Sequence, residues 1–283
     1  MSGASARLRF APSPNGRLHL GHAYSALLNA RIASDLGGLC LLRIEDIDPA
    51  RSRAEFTHGI VSDLAWLGLS YRQPVRQQSQ HMSEYRAARD QLAAADFAYP
   101  CFCSRSEIRA RSCACDPDGA PLYPGTCRSL DPRETEARRE RGEPHTWRLD
   151  MARALPQAQA SDELGFFAFE RGDERWCPVD PAPWGDAVIA RRDVPTSYHL
   201  AVVHDDALEG ITHVVRGADL EAATALHVVL QRLLGLPTPR YHHHGLIEDE
   251  EGRKLAKSRG SPSLAFLREA GTTPCEIRAR LGF

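Results

Sequence analysis

The sequence predicts an α/β fold: a doubly wound parallel sheet, interrupted by a cysteine-rich insertion and followed by a short C-terminal segment. Three observations predict it. Strand-like apolar runs alternate with helical periodicity over the first 95 residues; from Tyr99 to about Pro183 cysteines, prolines and arginines replace that pattern; the alternation then returns. The expected divisions are residues 6–98 for the first half of the sheet domain, 99–183 for the insertion, 184–240 for the second half and 241–283 for the C-terminal segment.

Leu8 to Ala11 reads as a short buried strand, and Pro12 and Pro14 hold off helix until apolar periodicity starts at Leu18. Leu20, Ala23, Leu27, Leu28, Ile32 and Leu36 mark a helix that Gly37-Gly38 terminates. Leu39 to Ile44 is a continuous apolar run, the sign of a parallel strand covered on both faces. Ile60, Leu64 and Leu67 belong to a second helix, and Tyr85 to Ala95 forms a third. After the insertion, Ala187 to Ala190 resumes the sheet, followed by a helix near Ser197 to Val203, a strand from Ile211 to Val215 and a helix from Leu220 to Leu234. His242-His243-His244 reads as a solvated loop. No internal repeat or low-complexity tract is visible.

A chain of 283 residues, 42% hydrophobic and 25% charged, has a globular composition that excludes disorder and collagen. No apolar run approaches the roughly 18 residues of a membrane span, and no signal segment opens the chain, so a cytoplasmic protein without membrane contact is expected. Basic and acidic residues number 35 and 37, leaving a formal charge of -2, so nucleic acid must be met by a local patch. The richest candidate is Arg128, Arg133, Arg138, Arg139 and Arg141 in the insertion; the competing reading is a salt-bridged surface helix, because Glu134, Glu136, Glu140 and Glu143 interleave with them.

The segment Arg9-Phe-Ala-Pro-Ser-Pro-Asn-Gly-Arg-Leu-His-Leu-Gly-His22 carries the first chemistry. A strand, a rigid Pro/Gly loop and a helix start together place free backbone N–H groups at the carboxyl edge of a sheet, where phosphates bind. His19 and His22 share one side of the first helical turn, and Gly21 between them lets a ligand approach the backbone. The second motif is Lys254-Leu-Ala-Lys-Ser258, which holds the only two lysines of the chain. Lysine in an otherwise arginine-based sequence marks a place where a compact, mobile ammonium differs from a planar guanidinium. A phosphate-binding P-loop would need glycine where Ala256 stands.

His19-Leu-Gly-His22 is similar to the "HIGH" signature of class I aminoacyl-tRNA synthetases, and Lys254-Leu-Ala-Lys-Ser258 to their "KMSKS" loop, with leucine for methionine and alanine for the first serine. Arg9-Phe-Ala-Pro-Ser-Pro-Asn-Gly with Leu42-Arg-Ile-Glu-Asp-Ile-Asp48 resembles the glutamyl group within that class. The resemblance implies a Rossmann-like catalytic core in which His19, His22 and Lys257 are catalytic. It also implies that His19, Gly21, His22, Lys254, Lys257 and Ser258 bind ATP with Mg²⁺. For the amino acid it implies Arg9, Ala11, Ser13 and Glu45, the last toward the ammonium group, and adds Tyr198 and Arg216 from Pro195-Thr-Ser-Tyr-His-Leu-Ala and Val215-Arg-Gly-Ala-Asp-Leu. An acidic substrate demands cations, because a desolvated carboxylate must be paired, and Arg9 at a strand end suits its side chain.

Cys101, Cys103, Cys113, Cys115 and Cys127 crowd into 27 residues, a density that points to metal ligation. Pairs with one-residue spacing can clamp Zn²⁺, with a third cysteine closing a tetrahedral site. The resemblance selects Cys101, Cys103, Tyr123 and Cys127 for one zinc per chain, while Cys113 or Cys115 could displace the phenolate on ligand softness.

Only 26 residues follow Lys257, too few for a helical anticodon-binding region. With that expected truncation, the motif set resembles the glutamyl-queuosine tRNA(Asp) synthetases over essentially the whole chain. That family implies a monomer that activates L-glutamate with ATP and attaches it to the queuosine base at the wobble position of tRNA(Asp), the insertion forming an acceptor-type subdomain. Alternatives are a truncated glutamyl-tRNA synthetase charging a tRNA 3′ end, a small-molecule nucleotidyltransferase and a non-catalytic RNA-binding paralogue.

Overall fold

The computed structural model describes residues 5–170, 172–247 and 262–283. β1 (Arg7–Phe10) leads into α1 (Leu20–Asp35) and β2 (Leu39–Ile44), and the two strands pair in parallel with Arg7 opposite Leu39. α2 (Ala54–Trp66) crosses to the short β3 (Arg76–Gln77), parallel to β2, and α3 (Met82–Ala94) closes this half. Next come β4 (Ala98–Cys101), α4 (Arg105–Arg111), α5 (Pro132–Glu140), β5 (Thr146–Leu149) and α6 (Met151–Ala158). The hairpin β6 (Gly165–Glu170) and β7 (Asp173–Pro178) precedes β8 (Val188–Ala190), α7 (Tyr198–Leu208), β9 (His213–Gly217), α8 (Ala223–Leu234) and β10 (Arg240–His244). α9 (Leu264–Glu269) and α10 (Pro274–Leu281) end the chain.

Two halves of one sheet meet at β1 and β9. β9, β10 and β6 run in parallel, with Tyr241 opposite Val214 on one side and Ala168 on the other. The Thr212 N–H donates to the Arg7 carbonyl (2.9 Å) and the Arg7 N–H to Thr212 Oγ1 (2.8 Å), which sets the three-stranded β3-β2-β1 edge to edge with the four-stranded β9-β10-β6-β7 among the described residues. The direction of winding reverses between β1 and β9, and in open α/β sheets the crevice at such a point receives the ligand. The core lies on both faces: Leu200, Val203, Leu226 and Leu230 of α7 and α8 pack with Tyr241 on one, and Ile44, Ile60 and Leu64 with Leu264 and Ile277 on the other. Each such side chain contributes about 1.5–3 kcal/mol on burial. No helix among the described residues is long and apolar enough to cross a membrane.

The structure departs from the sequence reading at four places. His242-His243-His244 is strand, not solvated loop: it forms the end of β10, and His243 stacks on Tyr241 with ring centroids 5.8 Å apart. A tripeptide of polar aromatic rings carries no period that distinguishes the two states. Val188–Ala190 does resume strand, but pairs antiparallel with β5 in a second sheet, β4-β5-β8, rather than in the parallel one. Gly165–Glu170, inside the stretch expected as insertion, joins the parallel sheet beside β10. The apolar run Leu39–Ile44 also hides Arg43, which is 0% exposed.

Candidate active site and cysteine cluster

The loop after β1 is tied to the sheet before α1 begins: the Glu45 N–H donates to the Pro12 carbonyl (3.1 Å) and the Arg53 N–H to that of Pro14 (3.1 Å). His19 then caps α1. Its Nδ1 accepts the Gly21 N–H (3.1 Å), and His22 Nδ1 accepts the His19 N–H (3.2 Å), so the two imidazoles form a reciprocal capping box. A neutral ring whose Nδ1 accepts carries its proton on Nε2. The rings stand 3.9 Å apart at the positive end of the helix dipole. A Cβ at residue 21 would meet His19 Cε1 at 3.1 Å, so the capping ring would have to give by a few tenths of an ångström.

A cavity of about 620 Å³ opens at the carboxyl ends of β1 and β9. Arg9, Ala11, Ser13, His19, Gly21, His22, Glu45, Tyr198 and Arg216 all line it, so side chains up to 207 positions apart in sequence (Arg9 to Arg216) converge. Lys254, Lys257 and Ser258 lie outside the described residues.

Beneath the cavity lies a charge network that sequence reading missed. Arg43 Nη1 contacts Asp206 Oδ1 (2.7 Å) and Glu209 Oε2 (2.8 Å), and its Nη2 contacts Glu45 Oε1 (3.2 Å). The same Asp206 Oδ1 accepts from Arg9 Nε (3.0 Å). Burial alone would raise the Asp206 carboxyl, yet Arg9 and Arg43 outweigh it and hold the group below its ordinary range. Glu45 goes the other way: burial raises it against the pull of Arg43 and Arg9. An arginine inside an apolar strand and an Asp205-Asp206 pair inside an apolar helix were the available signals, because buried charges persist only when paired.

Arg216, also buried, is held differently. Its guanidinium donates to Thr224 Oγ1 (2.7 Å), His227 Nδ1 (3.2 Å) and His243 Nε2 (3.4 Å), and among the described residues no carboxylate lies within ion-pair distance. Burial and then Arg216 push His227 well below its usual range and His243 down to about 3, so both rings are neutral acceptors. A cation that no described carboxylate neutralises, at the wall of a cavity, is a place for an anion. With Nδ1 accepting, His227 carries its proton on Nε2 and donates it to His199 Nδ1 (3.2 Å).

In the insertion, the Sγ atoms of Cys101, Cys103 and Cys127 lie within 4.8 Å of one another, with Cys103 and Cys127 3.5 Å apart. Tetrahedral Zn–S bonds of about 2.3 Å require sulfurs about 3.8 Å apart, so the trio fits that ion. The Tyr123 hydroxyl lies beside the trio, 3.8 Å from Cys103 Sγ, and accepts the Cys127 N–H (2.7 Å). Cys113 and Cys115 are exposed and belong to no such group among the described residues. Of the five candidate RNA-binding arginines, Arg138 pairs with Glu143, Arg139 with Glu136 (2.8 Å) and Arg128 with Asp186 (3.2 Å), the pattern of a salt-bridged surface.

Residues 5–281 match the family described as tRNA synthetases class I (E and Q), catalytic domain. The chain is 44% identical to the Glutamyl-Q tRNA(Asp) synthetase of Rhodobacter capsulatus, across 97% of this chain and 99% of that one. It is 40% identical to Glutamate–tRNA ligase 2 of Nitrosococcus oceani, across all of this chain and 60% of that protein. A crystal structure of a glutamate tRNA ligase from Elizabethkingia meningosepticum in complex with its amino acid superposes with a TM-score of 0.75 at 28% identity, covering 96% of this chain and 59% of the other. Against those two ligases the chain thus spans about 60% of their length. A capped histidine pair at the switch point of a parallel sheet, together with a match over nearly every residue, leads to one assignment: the chain belongs to the class I tRNA synthetases of the E and Q group.

Proposed function

We propose that this chain activates L-glutamate with ATP and transfers the glutamyl group to the queuosine base at the wobble position of tRNA(Asp). One observation carries the activation step: a single cavity at the strand ends joins a carboxylate (Glu45), two buried arginines (Arg9 and Arg216) and two histidines with protons on Nε2. Glutamate has one ammonium and two carboxylates, and the cavity offers two cations, Arg9 and Arg216, with the carboxylates of Glu45 and Asp219 in its wall. Glu45 takes the ammonium, Arg9 the side-chain carboxylate, and Arg216 with Tyr198 orients the other.

The α-carboxylate then attacks the α-phosphate of ATP and pyrophosphate leaves. His19 and His22 donate from Nε2 to the phosphate oxygens, where negative charge grows. Mg²⁺ bound with ATP would supply charge neutralisation at the phosphates. Lys257 is expected to add a cation. Catalysis is positioning and charge stabilisation, with no covalent role for a side chain. Because every group that takes glutamate belongs to one cavity, activation needs no tRNA. Zn²⁺ held by Cys101, Cys103, Cys127 and Tyr123 would supply structural cross-linking of the insertion. The choice of acceptor is supported by the Rhodobacter relative, matched end to end and named for that RNA.

Pyrophosphate exchange measured without tRNA tests the first step. Radiolabelled glutamate, ATP and tRNA(Asp) with or without queuosine test the second: label should enter only the queuosine-containing RNA. Equal label in RNA lacking queuosine would favour 3′-end charging, the activity named for the Nitrosococcus relative.

A further inference from the structure

A second cavity of about 560 Å³ adjoins the first and shares Ser13, Asn15, Glu45 and Tyr198 with it. Its far wall comes from the cysteine-rich insertion. There a tight turn is closed by the Asp116 N–H to the Ala120 carbonyl (2.8 Å) and the Gly119 N–H to the Asp116 carbonyl (2.9 Å). Asp116 Oδ1 accepts the N–H groups of Asp118 (3.1 Å) and Ala120 (2.9 Å), so that carboxylate holds the turn together. Asp118 reaches across to α7 instead, with Oδ2 3.8 Å from His199 Nε2.

Of the other carboxylates of this cavity, Asp116 is taken up by the N–H groups of its own turn and Glu45 faces Arg43 (3.2 Å). Asp48 is paired with Arg191 (3.0 Å) and Arg51 (3.5 Å), and Asp186 with Arg128 (3.2 Å). For Asp118 no arginine lies within ion-pair distance among the described residues. Its one titratable neighbour across the cleft is neutral: burial, then Arg216, pushes His199 down to about 4. Since His199 Nδ1 accepts from His227, its proton sits on Nε2 and faces Asp118. Burial and the neighbouring Asp116 carboxylate raise the Asp118 carboxyl. A carboxylate with a like charge beside it and only a neutral donor across the cleft, at the wall of a cavity large enough for a nucleobase, is complementary to a cationic ligand.

The transfer step says which ligand. With the glutamate ammonium at Glu45, the acyl carbon of the adenylate is two bonds from that nitrogen, and the attacking hydroxyl must arrive within about 3–3.5 Å of it. Glu45 and Tyr198 are walls of both cavities, so an acceptor entering the second one arrives at that carbon. Queuosine is a deazaguanosine whose aminomethyl arm carries a cyclopentene diol. Its secondary amine is protonated at neutral pH and sits on the ring carbon next to a hydroxyl-bearing one. We infer that the second cavity is the acceptor subsite and that Asp118 binds the ammonium of the queuosine arm, turning the neighbouring hydroxyl toward the acyl carbon. This inference rests on the proposed transfer to queuosine. In that step the hydroxyl oxygen forms an ester bond to the acyl carbon, the carbon–oxygen bond to AMP breaks, AMP leaves with the electron pair, and the hydroxyl proton passes to water.

The test compares wild type with Asp118→Asn and Asp118→Glu in two assays, glutamate-dependent pyrophosphate exchange and transfer to queuosine-containing tRNA(Asp). Exchange should be unchanged in both variants. Transfer kcat/KM should fall about 10- to 100-fold in Asp118→Asn, the range for losing a charged hydrogen-bond partner, and recover in part in Asp118→Glu. Free queuosine nucleoside should inhibit wild-type transfer far better than guanosine, which lacks the arm, and lose that advantage against Asp118→Asn. Transfer at the wild-type rate by Asp118→Asn would overturn the subsite while leaving the queuosine reading intact. A wild type that labels only RNA without queuosine would overturn both.

Discussion

Asp206→Ala probes whether the buried charge network beneath the cavity positions the proposed glutamate groups. Asp206 Oδ1 is shared by Arg9 Nε at 3.0 Å and Arg43 Nη1 at 2.7 Å, and all three side chains are buried. Removing the carboxylate is unequal in its effect. Arg43 keeps Glu209 at 2.8 Å and Glu45 at 3.2 Å, whereas Arg9 loses the one carboxylate with which it is ion-paired among the described residues. Breaking a buried pair by deleting one partner costs about 3–5 kcal/mol, against a typical total stability of about 5–15 kcal/mol. The stripped Arg9 then turns to Glu45, whose charge already acts on it, and the proposed ammonium and carboxylate sites collapse onto each other. The glutamate KM in pyrophosphate exchange should rise on the order of 100-fold, from about 1.5–3 kcal/mol of lost charged contact, while the ATP KM moves only a few-fold. Urea denaturation followed by circular dichroism reads the stability loss. Asp206→Asn, which keeps an acceptor oxygen for Arg9, should show a smaller change in both. A folded Asp206→Ala protein with the wild-type glutamate KM would refute the positioning argument.

Acid should expose the same network. Arg9 and Arg43 depress Asp206 in the folded state, so its contribution is present above the unfolded pKa of about 4 and is lost as pH falls through the lower folded value. The stability gap between wild type and Asp206→Ala should therefore be wide at pH 7 and narrow toward pH 3, and a gap independent of pH would argue against an ionised Asp206. Glutamine should exchange poorly, since it brings a neutral amide where Arg9 expects an anion; equal rates for glutamine and glutamate would remove Arg9 from the pocket. Lys257→Ala should slow adenylate formation on the order of 10²-fold with folding intact, and a larger effect from Lys254→Ala would show the loop to be aligned wrongly. Metal analysis should find one Zn²⁺ per chain that survives Cys113→Ser with Cys115→Ser and is lost in Cys127→Ser, whereas retention in Cys127→Ser would break the ligand assignment.

By itself the sequence determined the strand–helix–strand start, because Leu8 to Ile44 carries strong local periodicity bounded by Pro12, Pro14 and Gly37-Gly38. It also picked out residues that share one cavity, since a histidine pair in a helix start and a carboxylate at a strand end are positioned by local backbone alone. Tertiary structure decided the rest, and each case turns on long-range pairing. Arg43 passed unremarked inside an apolar run because its counter-ions, Asp206 and Glu209, arrive from more than 160 residues away. His242 to His244 became strand because β9 pairs with all three while β6 borders the strand at Tyr241, a condition no local period encodes. Among the crowded cysteines, only the folded chain brings Cys127 to Cys101 and Cys103 while leaving Cys113 and Cys115 in an exposed turn. Local propensity is written in neighbouring side chains; the partner that neutralises a buried charge, completes a metal site or borders a strand is chosen by the path of the whole chain.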